Sequence, residues 1–391
     1  MVEDRFPNDP FFRRNPDITW NACIGVQGDE ENYIEGYIEA ATELASSVIG
    51  KNMPERRDTL VLPILYNARH AIELVLKFCL SRLARAKLLK REFVRNHNIR
   101  SYWMMLDEAE LGDRALSRHI AALKPFIDSL SAIDQDGQEL RYHRNKSDDT
   151  SMANYSLANL VVIRESLLVL AKAISDLRYR LVDYFNERAT GTFTNECSRS
   201  DLLAITKLLP PIAAWNEPKF DEAKDAIKTS FGLSGKAFCR AIDAIKGSRE
   251  MRTMLGTETP LLYISDEKIE AVISKWNGLR RHNVGSGFLG DARKIEWHAG
   301  AEDRRKIIND LCAMLTPEEL ADLHAVFYLG RDRSFFPENY EAEADRVLHQ
   351  IKARSDFVSD AVYLFDKGNL QSALAIGLLK LGRLTLARKL T

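Results

Sequence analysis

The chain has 391 residues, enough for two domains at roughly 100–200 residues each. Hydrophobic residues at 45% and charged residues at 28% fit a globular protein with real cores and exclude a disordered or fibrous chain. A formal charge of −1 excludes wholesale attraction to nucleic acid or an anionic membrane, so an anionic partner would have to meet a local basic patch.

In chain order, residues 1–29 read as an irregular arm. Residues 33–49 place Tyr33, Tyr37, Ile34, Ile38, Ala41, Leu44, Ala45 and Val48 near one helical face. A turn at 52–58 leads to a long helix over 59–89, which Asn96–Asn98 breaks. A further helix is expected over 114–130, followed by a polar loop over 133–154. Residues 156–185 then read as a helix of about 45 Å at ~1.5 Å per residue. Residues 187–200, rich in Thr, Ser and Gly, read as a linker.

Beyond the linker the spacing predicts helices over 200–209, 220–232 and 234–247, then a glycine loop over 280–294. Thr316-Pro317-Glu318-Glu319 is a capping box with proline at the first helical position. Helical patterns over 339–365 and 369–390 follow. Strand signals are scarce, so the expected fold is all-α in two parts, 30–186 and 201–391.

Five cysteines at 23, 79, 197, 239 and 312 contain no CxxC pair and suit reduced thiols, so no metal site or cofactor is expected. The charged, proline-broken start is unlike a signal peptide. No apolar run reaches the ~18 residues of a membrane span, so no membrane partner is expected and the setting is read as cytoplasmic.

The most informative stretch is PILYNARHAIELVLKFCL, 63–80. It is largely apolar yet holds Arg69, His70, Glu73 and Lys77. Arg69, Glu73 and Lys77 follow i, i+4, i+8 along one stripe, with Glu before Lys in the favourable order. Taking ions out of water costs several kcal/mol each, so such a stripe needs a reason. One is an ion ladder that fixes the helix; another is a polar cleft shared with His97 and the 141–144 loop.

An ordered set of motifs then runs through the first half: Y-x3-Y-x-x-A-A (33–41), LPILYNARHAIELVLKFCL (62–80), His97-Asn98-Ile99 with Trp103 and Leu106, and DQDGQELRYHRNK (134–146). This set resembles the bacterial branch of the HEPN superfamily. The resemblance covers about 30–186 and implies an up-down helical bundle. It also implies a homodimer or higher oligomer, RNA or a nucleotide as partner, and a role in bacterial stress or phage defence, including toxin–antitoxin systems. Many such domains are metal-independent endoribonucleases; others are inactive binding or regulatory modules.

The nuclease signature of that superfamily is Arg, four to six residues, then His. Histidine exchanges protons near neutrality, and arginine forks onto phosphate oxygens. Three spacings fit: Arg91/His97, Arg114/His119 and Arg293/His298. At the position the resemblance favours, Arg144-Asn145 has no His within six residues. A composite site is therefore drawn from His97, Arg141, His143 and Arg144 for chemistry. Arg69, His70, Glu73, Lys77, Tyr142 and Asn145 are the binding residues, and Arg114 with His119 is a second pair. The competing reading is a non-catalytic interaction or dimerisation module in which the same polar residues order the bundle. Residues 226–246 resemble a helix-turn-helix with FGLS as the turn. Lys228 stands where such motifs carry a small residue, so DNA is not expected as a partner.

Overall fold

The computed structural model describes residues 10–12, 17–25, 28–145, 147–278, 301–332, 335–354 and 357–391. The glycine loop at 280–294 and the Arg293/His298 pair lie outside the described residues. Among the described residues there is no β-strand, and the fold is all-α. Contacts divide the chain into two units, residues 1–111 with 115–181, and 112–114 with 182–391.

The first unit holds α1 (Glu30–Gly50), α2 (Arg57–Arg85), α3 (Ile99–Asp107), most of α4 (Arg114–Ile133) and most of α5 (Leu160–Arg188). Asp29 caps α1 by accepting the Glu31 and Asn32 amides, and Asn32 returns the bond in a capping box. The buried face of α1 is the stripe Ile34, Ile38, Ala41, Ala45, Val48, and it lies along α2. Helix α2 is buried nearly all round, from Ile64 to Leu83, because it is the central rod of the unit. With the preceding turn it is long and apolar enough to meet the criterion for a membrane span, contrary to the sequence expectation. A soluble core helix passes the same test, and this one carries a buried ion cluster. Helix α3 was not expected; it is nine residues long, capped by Asn98 on the Ser101 amide, and buries Ile99, Tyr102 and Leu106. Trp103 Nε1 donates to the Ile120 carbonyl at 2.8 Å, tying α3 to α4. Arg178 of α5, 2% exposed, pairs with Glu31 and Glu35 of α1.

The second unit holds α6 (Arg199–Leu208), α7 (Pro218–Phe231), α8 (Gly235–Gly247), α9 (Arg249–Met254), α10 (Asp266–Gly278), α11 (Ala301–Met314), α12 (Pro317–Arg331), α13 (Tyr340–Arg354), α14 (Phe357–Phe365), α15 (Leu370–Lys380) and α16 (Leu384–Leu390). It has two apolar clusters, one among α6–α9 around Leu202, Phe238 and Ile245, the other among α10–α16 around Trp276, Phe327 and Phe365. The FGLS turn joins α7 to α8: Gly232 takes φ +66° and Ser234 caps α8. Thr316 and Glu319 form the expected capping box of α12. Residues 369–390 are two helices, parted at Gly382 with φ +75°. Helices α12 and α15 touch backbone to backbone. A Cβ on Gly330 would lie 1.8 Å from the Ala373 carbonyl oxygen, and one on Gly377 2.0 Å from that of Val326.

Candidate functional site

Arg69 lies at the centre of the first unit and is 1% exposed. Its Nη1 donates to Glu73 Oε2 at 3.0 Å, as the i, i+4 spacing allows. Nε donates to the Asp134 carbonyl at 2.9 Å, and Nη2 to the His97 carbonyl at 2.7 Å and the Gln135 carbonyl at 3.3 Å. One guanidinium thus joins three chain segments that lie 28 to 66 residues apart. The planar fork of arginine suits this, since it presents donors in several fixed directions.

Asp134, fully buried, completes the node. Its Oδ2 stands 3.5 Å from Arg69 Nε, while its oxygens accept the amides of Gln138 at 2.7 Å and Glu139 at 3.2 Å. That bonding folds the start of the loop over the arginine. Gly137 sits in the loop with φ +80°, and a Cβ there would approach Arg69 Nη1 to 3.1 Å. The D-x-x-G spacing therefore has a physical cause: the aspartate caps the turn, and glycine gives both the left-handed backbone and room for the guanidinium.

Glu73, 2% exposed, also accepts from Lys77 Nζ at 2.6 Å and meets His97 Nδ1 at 2.9 Å. Burial by itself would raise the Glu73 carboxyl, but the bonds from Lys77 and His97 outweigh it and hold the group below the usual carboxylate range. An ionised Glu73 can only accept, so Nδ1 of His97 is the donor in this bond. The His97 side chain is 61% exposed. Chemically, this is a largely exposed imidazole oriented by a buried carboxylate.

His70 lies beside the stripe, edge-on to Tyr37 at 4.4 Å and stacked on Tyr66 at 5.7 Å. Burial lowers its pKa; Glu73 opposes, and Lys77, Arg69 and Arg141 add to the lowering. Arg141 is exposed, with its guanidinium 5.9 Å from the Tyr66 ring and 5.4 Å from that of Tyr142. Its Nε donates to the Gly137 carbonyl.

The rest of the loop is spent on its own closure. Arg144 donates to the Asp148 carbonyl at 2.6 Å and pairs with its carboxylate at 3.3 Å. Asn145 Oδ1 accepts the amides of Ser147 at 3.0 Å and Asp149 at 3.1 Å. His143 is exposed, and its carbonyl accepts from the Ser151 amide at 2.9 Å. Arg114 belongs to the second unit, its guanidinium 4.2 Å from the Phe231 ring and its amide on Asp201 at 3.1 Å. His119 is half-buried on α4.

The segments carrying Arg69, His97 and residues 134–141 therefore meet, but through carbonyls and buried carboxylates. Sequence reasoning missed Asp134 as a member of the node, although the D-x-x-G motif contains it. Arg178 was also missed, and no local signal marks it. Among the described residues no His, Cys, Asp and Glu group could hold a metal ion. Comparison with protein-family models, curated proteins and solved structures finds no match.

Proposed function

We propose that the first unit is a HEPN-type, non-catalytic interaction module of a bacterial stress or phage-defence protein, working as a homodimer in the cytoplasm. One observation carries this reading. Arg69, the cation best placed for a phosphate, is sealed at 1% exposure with its donors on four protein acceptors. Removing charge from water is costly and is retained here for the specificity of the fold, since the node fixes how the 97 turn and the 134–141 loop seat on α2. The position of Arg144, bound to Asp148 and with no histidine in the next six residues, supports the same reading.

A second reading keeps the RNA-directed endoribonuclease, and His97 favours it. An exposed, carboxylate-oriented imidazole suits proton transfer, and the exposed Arg141 and His143 would supply the phosphate contact and a second proton carrier. The test is RNA degradation by the purified full-length protein in chelator, beside His97→Ala, Arg141→Ala and His143→Ala. The module reading expects four equal backgrounds. Cleavage by the wild type that is lost on His97→Ala or Arg141→Ala would replace it with the ribonuclease.

A further inference from the structure

Helix α5 has two apolar faces. One, with Leu160, Leu167, Leu170, Ala173, Ile174 and Leu177, is buried. The other is open: Val161 is 44% exposed, Val162 60%, Leu168 56% and Val169 62%, and Leu157, 95% exposed, lies in the segment just before the helix. At roughly 160–180 Å² for a fully exposed aliphatic residue, the four helical side chains present about 370 Å² of surface, the size of the largest patch on a monomer, which is often functional.

The open face has a seven-residue repeat. Val161 and Leu168 share one position, Val162 and Val169 the next, and Glu165 and Lys172 share a third along the same seam. This is the pattern of a helix that packs along another helix. The charges say which helix. A parallel copy of α5 would set Glu165 against Glu165 and Lys172 against Lys172. An antiparallel copy sets each Glu165 against the Lys172 of the other and brings both copies of Leu168 and Val169 together at the two-fold axis. Lys172 is 76% exposed at its side chain and, among the described residues, pairs with Asp176 at 2.9 Å, one turn along its own helix, so it is accessible to such a partner.

We propose that the open face of α5 is the docking surface for a second copy of this chain, with the two α5 helices antiparallel about an axis between Leu168 and Val169. The flanking Glu165, Ser166 and Lys172 extend the covered surface beyond this apolar centre, which is the part that interfaces share with interiors. The inference rests on the interaction-module reading and places the homodimer of that reading on α5. A dimer indifferent to Leu168→Glu would overturn this surface and leave that reading standing, whereas RNA cleavage lost on His97→Ala would overturn that reading and leave the dimer surface standing.

The experiment is sedimentation equilibrium of the full-length protein from about 1 to 100 μM, a range that brackets a modest affinity. The wild type is expected to dimerise and Leu168→Glu to be monomeric. Glu165→Lys is expected to weaken association at least about tenfold, as like charges then face each other. The double variant Glu165→Lys with Lys172→Glu is expected to recover it. All these positions are exposed, and an unchanged far-UV circular dichroism spectrum with a cooperative melt confirms that each variant folds. A wild-type monomer at 100 μM, a dimer indifferent to Leu168→Glu, or no recovery in the charge-swapped variant would overturn the proposal.

Discussion

Replacing Arg69 by alanine removes the one side chain that holds the His97 turn and the 134–141 loop on α2. The loss has two parts. Hydrogen bonds to the carbonyls of His97, Asp134 and Gln135 disappear, and two buried carboxylates, Glu73 and Asp134, lose a cation at 3.0 and 3.5 Å. Arg69 and Glu73 side chains are 1% and 3% exposed, so solvent does little to compensate. Breaking a buried pair from one side costs about 3–5 kcal/mol, and the remaining bonds of Glu73 to Lys77 and His97 place the expectation near the lower figure. That corresponds to roughly two orders of magnitude in the local opening equilibrium. Amide hydrogen exchange reads it directly at Gln138 and Glu139, whose N–H groups are bound to Asp134. Exchange there is expected to accelerate about a hundredfold, while α6–α16 are unchanged. Acceleration below about threefold would refute the idea that Arg69 organises this loop.

Two other outcomes follow from the packing. Burial holds the His70 imidazole below its ordinary value, so the folded state binds fewer protons there than the unfolded state. Its contribution is intact above the unfolded value of about 6.5 and is lost as pH falls below it. His70→Phe should therefore flatten the fall in urea midpoint between pH 7.5 and pH 5.5, and an unchanged slope would count against it. In the second unit, Gly330→Ala puts a methyl group 1.8 Å from the Ala373 carbonyl oxygen, so α12 and α15 must part. About 2–3 kcal/mol of stability should be lost in thermal or denaturant unfolding, whereas Gly191→Ser, where no atom lies within 4 Å, should leave the α12–α15 contact unaffected.

Long amphipathic rods were readable because their apolar spacing is a local property. Of the face expected over 33–49, Ile34, Ile38, Ala41, Ala45 and Val48 are buried, while Tyr37 and Leu44 are half-buried and Tyr33 is exposed; the long helix expected over 156–185 is α5. Helix α3 was not readable, because nine residues with three buried side chains give too short a period to stand out. The expected single helix over 369–390 is broken at Gly382, where the chain must turn beside Thr253, a neighbour no local pattern reveals. The four ionisable residues of α2 were visible, but their partners were not. The Arg69 acceptors are backbone carbonyls, which carry no residue identity, and the nearest is 28 positions away in sequence. Asp134 and Gly137 could be seen as a motif without showing that the motif encloses an arginine.

The claim that the α2 ions serve the architecture is tested most directly by a double-mutant cycle on Arg69→Met and Glu73→Leu, with the stability of the first unit followed by exchange of the α2 amides. Each single change should cost about 3 kcal/mol or more because it strands a buried charge, and the double change should cost at least about 2 kcal/mol less than the sum. Costs that add to within about 0.5 kcal/mol would mean that the two side chains act independently, and the node would not be the element that holds this unit together.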